Sequence, residues 1–251
     1  KLDRVEAETL MRQIAANPNV EYVEPDRLMK PVLTPNDTSY NQQWGYFDAD
    51  AGIRANTAWD LANGSGIIVA VLDTGITNHS DLNTNVIAGY DFINDSFVGN
   101  DGNGRDSDPS DPGDWSASGE CGAGVPGSNS SWHGTHVAGT VGAVTNNAKG
   151  VAGTAFGAKI MPVRVLGRCG GYTSDIADAI VWASGGTVSG VPAVSQRAHV
   201  INLSLGGSGA CDTTTQNAIN GAVSRGTVVV VAAGNSNADA SNFSPASCNN
   251  V

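Results

Sequence analysis

Residues 67–75 read IIVAVLDTG: six apolar residues in a row, then Asp, Thr and Gly. The run is too short for a membrane span and does not alternate. It therefore reads as a strand buried on both faces of a parallel sheet. Three further runs share its character: AKIMPVRVL (158–166), HVINLSLGG (199–207) and TVVVVAAGN (227–235). Helical spacing lies between them. Val137, Val141 and Val144 recur at i, i+4, i+7, as do Ile176, Ile180 and Ala183; Ala218 and Ala222 run beside Ile219 and Val223. Alternating strands and helices predict a doubly wound α/β fold. Sites in open α/β sheets gather at the carboxyl ends of the strands. Here these ends are Asp73-Thr74-Gly75, Ser204-Leu205-Gly206 and Gly234-Asn235.

Composition limits the function. A chain of 251 residues with 40% hydrophobic residues can bury one sizeable domain and carry a short appendage. Its formal charge is −11, from 24 acidic and 13 basic residues. Phosphate contacts need a basic face, so neither nucleic acid nor an anionic membrane is an expected partner. No apolar run approaches the roughly 18 residues of a membrane-spanning helix. The first residue is Lys and no signal peptide is visible, so the start is expected to have been trimmed or never to have belonged to this piece. Cys121, Cys169, Cys211 and Cys248 form no C-x-x-C pair, which disfavours zinc or thioredoxin chemistry. Four well-separated cysteines permit three disulfide pairings or four buried thiols. Disulfides would place the protein in an oxidising compartment.

Residues 1–33 differ from the rest. Val5, Leu10 and Ile14 are spaced for a helix ending at Asn17-Pro18, and NVEYVEPDR (19–27) then alternates like a strand. This predicts part of a small α+β unit, followed by a proline-containing linker, MKPVLTPND (29–37).

A carboxylate at the end of an apolar strand is costly unless it is bound. Asp73 is therefore either a turn cap or an acid that orients a base. His133 and His136 are three apart, without the spacing or Glu of H-E-x-x-H, so a zinc pair is the weaker reading. His133 follows a Ser-rich loop at a helix start, a good platform for a general base. His136 is expected to be a buried structural residue.

Four motifs, VAVLDTGI (69–76), HGTHVAGTVGAVTNNAKGVAG (133–153), INLSLGG (201–207) and VVVAAGN (229–235), resemble the subtilisin-like serine proteases, or subtilases, in family order. The resemblance covers about residues 35–251 and implies a three-layer α/β fold with a mostly parallel sheet. It also implies that Asp73 orients His133, that His133 is the general base, and that the Asn235 amide serves an oxyanion hole. One feature departs from the family: no G-T-S-M-A segment, which carries the nucleophilic Ser, occurs in the 251 residues. The expectation is a secreted serine endopeptidase truncated before its nucleophile, with 34–251 as the first part of the peptidase domain. The alternative is an inactive, peptide-binding pseudoenzyme.

The resemblance also implies a substrate groove between Gly170-Gly171-Tyr172 and Ser204-Leu205-Gly206, with Ala233 and Gly234 leaving a roomy specificity pocket. An extended peptide would add to these segments as a strand. VTNNAKGV (144–151) is similar to the family's calcium loop. Its ligands would be the Asn147 side chain, the carbonyls of Val144, Lys149 and Val151, and the carboxylates of Asp37 and Asp81. The acidic insert NDGNGRDSDPSDPGD (100–114) crowds five aspartates, and a cation would relieve their repulsion. A second Ca²⁺ on Asp101, Asp106 and Asp108 is expected there. Residues 1–33 resemble the end of the propeptide, an intramolecular inhibitor, with processing within Lys30–Thr34. The implied disulfides are Cys121–Cys169 and Cys211–Cys248. Protein or peptide substrates and a monomeric state complete the expectation.

Overall fold

The computed structural model describes residues 3–26 and 33–251. The chain divides into two compact units, Lys1–Val32 and Leu33–Val251. In the first, α1 (Arg4–Ala15) starts at a capping box. Asp3 accepts the Glu6 amide and the Glu6 side chain accepts the Asp3 amide. Residues 20–26 form no strand, contrary to the alternating pattern. A single alternating segment gains little without a partner to take its backbone hydrogen bonds. Most of the expected processing region, Lys30–Val32, lies outside the described residues.

The second unit runs α2 (Ala55–Ala58), β1 (Ile68–Asp73), β2 (Tyr90–Asp91), α3 (Ser96–Gly99), α4 (His133–Gly142), β3 (Lys159–Arg164), α5 (Thr173–Ala183), β4 (Val200–Leu203), β5 (Gly207–Ser208), α6 (Thr213–Ser224), β6 (Val228–Val231) and β7 (Phe243–Ser244). Five strands form one sheet in the order β2-β3-β1-β4-β6, and every pair in it is parallel. β5 and β7 make a separate antiparallel ribbon.

Strand β1 explains the layers. Ile68, Ala70 and Leu72 face a core shared with Ala177 and Ile180 of α5 and with Ala218, Ile219 and Ala222 of α6. Val69 and Val71 face the other way, onto Ala138 of α4 and Ile160 of β3. All six residues of β1 are buried, as a continuous apolar run requires. β6 departs from that expectation, because Val228 and Val230 are 58% and 47% exposed. Among the described residues the helix on that face, α4, packs on β1 and β3.

Candidate active site

Asp73 ends β1 and is fully buried; its carboxylate accepts the Thr74 amide at 2.7 Å. Gly75 follows at φ 102°, a conformation that costs glycine nothing. α4 then begins beside this turn. A Cβ on Gly134 would stand 2.3 Å from the Gly75 carbonyl oxygen, so glycine lets the helix start approach the strand end. His133 is thereby brought to Asp73 across 60 residues of sequence. Its Nδ1 lies 2.8 Å and 2.9 Å from the two carboxylate oxygens. An ionised carboxylate only accepts, so Nδ1–H donates and Nε2 is left as the proton acceptor. The imidazole remains 46% exposed. Burial, above all, pushes the Asp73 carboxyl above its usual range; the His133 hydrogen bond and the Thr74 amide pull it back.

His133 lines a cavity of about 360 Å³ together with Thr74, Leu166, Gly170 and Ser204. A larger one, about 630 Å³, is walled by Gly170, Gly171, Leu205 and Gly206, with Leu166 and Ile176 adding apolar surface. The two expected groove segments therefore line common cavities. Tyr172 is exposed and borders a smaller hollow with Arg168 and Phe97. Within the first segment, Gly167 and Gly170 exchange both backbone hydrogen bonds, and the Tyr172 carbonyl accepts from Ile176 of α5. Asn235 lies four residues beyond β6 with Ala233 and Gly234 just before it; all three are exposed, and none lines these cavities. His136 corrects an expectation, because it is exposed rather than buried. Residues three apart share a helix face, so His136 follows His133 toward solvent.

The loop 144–151 closes around two buried carboxylates. Asp37 accepts the Asn146 amide at 2.9 Å and the Asn147 amide at 3.3 Å. Asp81 accepts Asn147 Nδ2 at 2.6 Å and the Val151 amide at 3.0 Å. Asp37 and Asp81 are 5% and 3% exposed. Among the described residues neither forms an ion pair with a cationic side chain. Two buried carboxylates, one amide and nearby loop carbonyls fit the oxygen preference of calcium.

The acidic insert behaves differently. Asp101 is bound by Arg164 at 2.6 Å, Asp106 accepts the Asp108 amide at 2.7 Å, and Asp108 accepts the Ser110 hydroxyl at 2.6 Å. Among the described residues no group of three or more His, Cys, Asp or Glu could hold a metal. Of the three residues expected to hold a second cation, Asp101 is thus paired with an arginine, and Asp106 and Asp108 are engaged by local turns. Disulfides join Cys121 to Cys169 and Cys211 to Cys248, with Cα separations of 5.3 Å and 5.0 Å. The first ties the insert region to the groove segment at Gly170.

Sequence reasoning missed Arg164, which is 1% exposed and paired with Asp91 and Asp101. It ends β3 as Asp73 ends β1, so the same signal, a charge closing an apolar strand, was available. Thr74, Asp111, Asp114 and Ser131 were also missed, and nothing in the insert's sequence sets Asp111 and Asp114 apart from its other aspartates.

A buried aspartate at a strand end thus meets a histidine at a helix start, beside cavities lined by the two expected groove segments. The Subtilase family matches residues 64–251, and the chain belongs to that family. It is 66% identical over 250 residues to an extracellular protease of Xanthomonas campestris, covering all of this chain and 43% of that protein. It is 52% identical to an extracellular basic protease of Dichelobacter nodosus, covering 98% of this chain and 42% of that protein. The chain thus spans less than half the length of these relatives. Among solved structures, proteases from Pseudoalteromonas arctica superpose with a TM-score of 0.85 at 62% identity, over 86% of this chain and 64% of that one. No helix among the described residues is long and apolar enough to cross a membrane.

Proposed function

We propose that this chain carries the base-bearing part of an extracellular serine endopeptidase. The observation that supports this most is the contact of His133 Nδ1 with both oxygens of fully buried Asp73, at 2.8 Å and 2.9 Å. His133 Nε2 would take the proton from a serine hydroxyl as its oxygen attacks the substrate carbonyl carbon. Asp73 would hold the ring in the required tautomer and stabilise the imidazolium. The same proton would then pass to the leaving amine, and water would release the acyl group by the reverse sequence. The nucleophile belongs to a G-T-S-M-A segment that is not among these 251 residues. Asn235 would donate to the developing oxyanion. Peptide substrates would lie along the cavities bordered by Gly170, Gly171, Leu205 and Gly206.

The relatives' names support export, and the two disulfides suit an oxidising compartment. Residues 1–33 are assigned to the end of an inhibitory propeptide, and the working protein is a monomer. Asp37, Asp81 and Asn147, with the carbonyls of Val144, Lys149 and Val151, would hold Ca²⁺. The ion would neutralise two carboxylates that lack a cationic partner among the described residues.

The test is hydrolysis of an unfolded protein by this chain together with the segment carrying the serine. Turnover abolished by a serine-directed phosphonylating reagent is expected. His133→Ala should cost kcat at least about 10²-fold, the lower range for a lost acid–base group. Asn235→Ala should lower kcat about 10²–10³-fold with little change in KM; that magnitude belongs to the oxyanion amide of subtilisin, a member of the same family. Tight peptide binding without hydrolysis would overturn the enzyme reading.

A further inference from the structure

Helix α4 has no capping side chain of its own. Its N-cap is Trp132, at φ 52°, which makes no side-chain cap hydrogen bond. Two amides of the helix start are nevertheless satisfied by hydroxyls. His133 N–H donates to Ser131 Oγ at 3.2 Å, and Gly134 N–H donates to Thr74 Oγ1 at 2.9 Å. Each hydroxyl in turn donates to a carboxylate of the acidic insert. Thr74 Oγ1 donates to Asp111 Oδ2 at 2.7 Å, and Ser131 Oγ donates to Asp114 Oδ2 at 2.8 Å. The second oxygens are also used: Asp111 accepts the Gly113 amide at 2.8 Å and Asp114 accepts the Ser131 amide at 2.6 Å.

We propose that Asp111 and Asp114 are positioning residues which, through Thr74 and Ser131, clamp the first turn of α4 and so hold His133 against Asp73. The inference rests on the reading of His133 as the base. A hydroxyl has one proton and two lone-pair sites. A carboxylate can only accept, so it draws that proton to itself and leaves the lone pairs facing the helix amides. Hydrogen bonds to an ionised acceptor are about twice as strong as neutral ones. Negative charge beside a helix N-terminus also complements its dipole.

The placement is not electrostatically free. Asp111 is 8% exposed, and neither it nor Asp114 has a cationic side-chain partner among the described residues. Burial chiefly raises the Asp73 carboxyl, and the Asp111 charge adds to that rise. A buried carboxylate set beside another needs a compensating role, and two hydroxyl relays converging on one helix start provide it. The insert itself is pinned. Ile76 N–H donates to the Pro109 carbonyl and Asp111 N–H to the Ile76 carbonyl, both at 3.0 Å. Arg168 reaches Asn100, and the Cys121–Cys169 disulfide ties the region to the groove.

Alanine and asparagine variants of both aspartates test the proposal, in a protein comprising this chain and the serine-bearing segment. Asparagine keeps an acceptor oxygen and discards the charge. Asp111→Ala should lower kcat about 10-fold with KM nearly unchanged, a fraction of what a base contributes. Asp111→Asn should restore most of that loss. The double alanine variant should lose about 100-fold, the scale of a misplaced catalytic group. A second readout does not need turnover: the low-field proton NMR signal of His133 Nδ1–H in ¹⁵N-histidine-labelled protein. It should survive in the asparagine variants and vanish by exchange in the alanine variants, while core methyl signals such as Leu72 stay in place. Alanine variants with unchanged kcat and an intact Nδ1–H signal would overturn the proposal. So would a loss that asparagine fails to rescue while the core signals are unchanged. Should an alanine variant not fold, Thr74→Val removes the same relay at its hydroxyl and is expected to give the same two effects. A wild-type protein without turnover would sink the protease reading, whereas the Nδ1–H comparison would still decide this one.

Discussion

Asp73 and Arg164 are paired positions at the carboxyl ends of neighbouring parallel strands, yet their side chains serve different partners. Asp73 holds His133, while Arg164 reaches Asp91 at 2.5 Å, Asp101 at 2.6 Å and the Gly99 carbonyl. Arg164 and Asp91 are each 1% exposed. Burial pushes the Asp91 carboxyl up to about 7, against the pull of the arginine. Removing the arginine leaves the buried Asp91 carboxyl to be protonated or stranded as a charge, and takes a donor from Asp101 and the Gly99 carbonyl. Arg164→Ala should therefore destabilise the protein by about 3–5 kcal/mol. The paired change Arg164→Met with Asp91→Leu should recover most of it. Denaturant unfolding checks both, and a wild-type midpoint for Arg164→Ala would exclude the argument.

Gly134 makes a second prediction. An added methyl would stand 2.3 Å from the Gly75 carbonyl oxygen and 3.0 Å from its amide nitrogen, both backbone atoms that cannot swing aside. The helix start must then shift, and His133 shifts with it. Gly134→Ala should cost about 1–3 kcal/mol as overpacking. The displaced base should cost kcat about 10²-fold. Gly139 has open space at the same position and is the matched control. Equal kinetics for the two alanine variants would refute the close-approach argument.

These predictions rest on features of unequal legibility. The apolar runs located β1, β3, β4 and β6, and the 3.6-residue spacing located α4, α5 and α6, because burial periodicity is written directly in residue type. The Asp73–His133 contact was readable from the likeness of four motifs in order. The partners of the insert's carboxylates were not legible. Five aspartates advertise negative charge, and the arginine that meets Asp101 comes from a strand 63 residues away. Nor does spacing distinguish Asp111 and Asp114, whose partners Thr74 and Ser131 lie 37 and 17 residues off.

Asp212 gives a pH-dependent prediction. It caps α6, accepting the Thr215 hydroxyl at 2.7 Å and the Thr215 amide at 2.9 Å. The hydroxyl first, then the amide, hold its carboxyl below the usual range. A depressed carboxylate stabilises the fold above its unfolded pKa, and this contribution is lost as pH falls through the folded value. Asp212→Ala should cost about 1 kcal/mol near neutrality, as a lost helix cap does. The gap between variant and wild type should begin to narrow as pH falls below the unfolded aspartate pKa of about 3.9 and close only below the depressed folded value. Asp212→Asn, which keeps a capping oxygen, should cost less at neutral pH. A gap that stays constant across the titration would assign the effect to packing instead.

Calcium makes the last prediction, because Asp37 and Asp81 are buried in loops without a cationic side-chain partner among the described residues. Binding to the folded state alone stabilises by RT ln(1 + [L]/Kd), about 2.7 kcal/mol when the ion is at 100 times its Kd. Chelation should therefore lower Tm, and added Ca²⁺ should restore it in a concentration-dependent way. Magnesium should not substitute, since it demands a tighter octahedral shell than a mixed carbonyl loop offers. Asp81→Asn should abolish the calcium dependence of Tm, because Asp81 is the carboxylate that meets both Asn147 and Val151. Asp106→Asn should leave that dependence intact, because Asp106 belongs to an insert whose carboxylates are held by local turns. A protein whose melting ignores both chelator and calcium would remove the ion from this loop. The two buried carboxylates would then rest on backbone amides and the Asn147 side-chain amide.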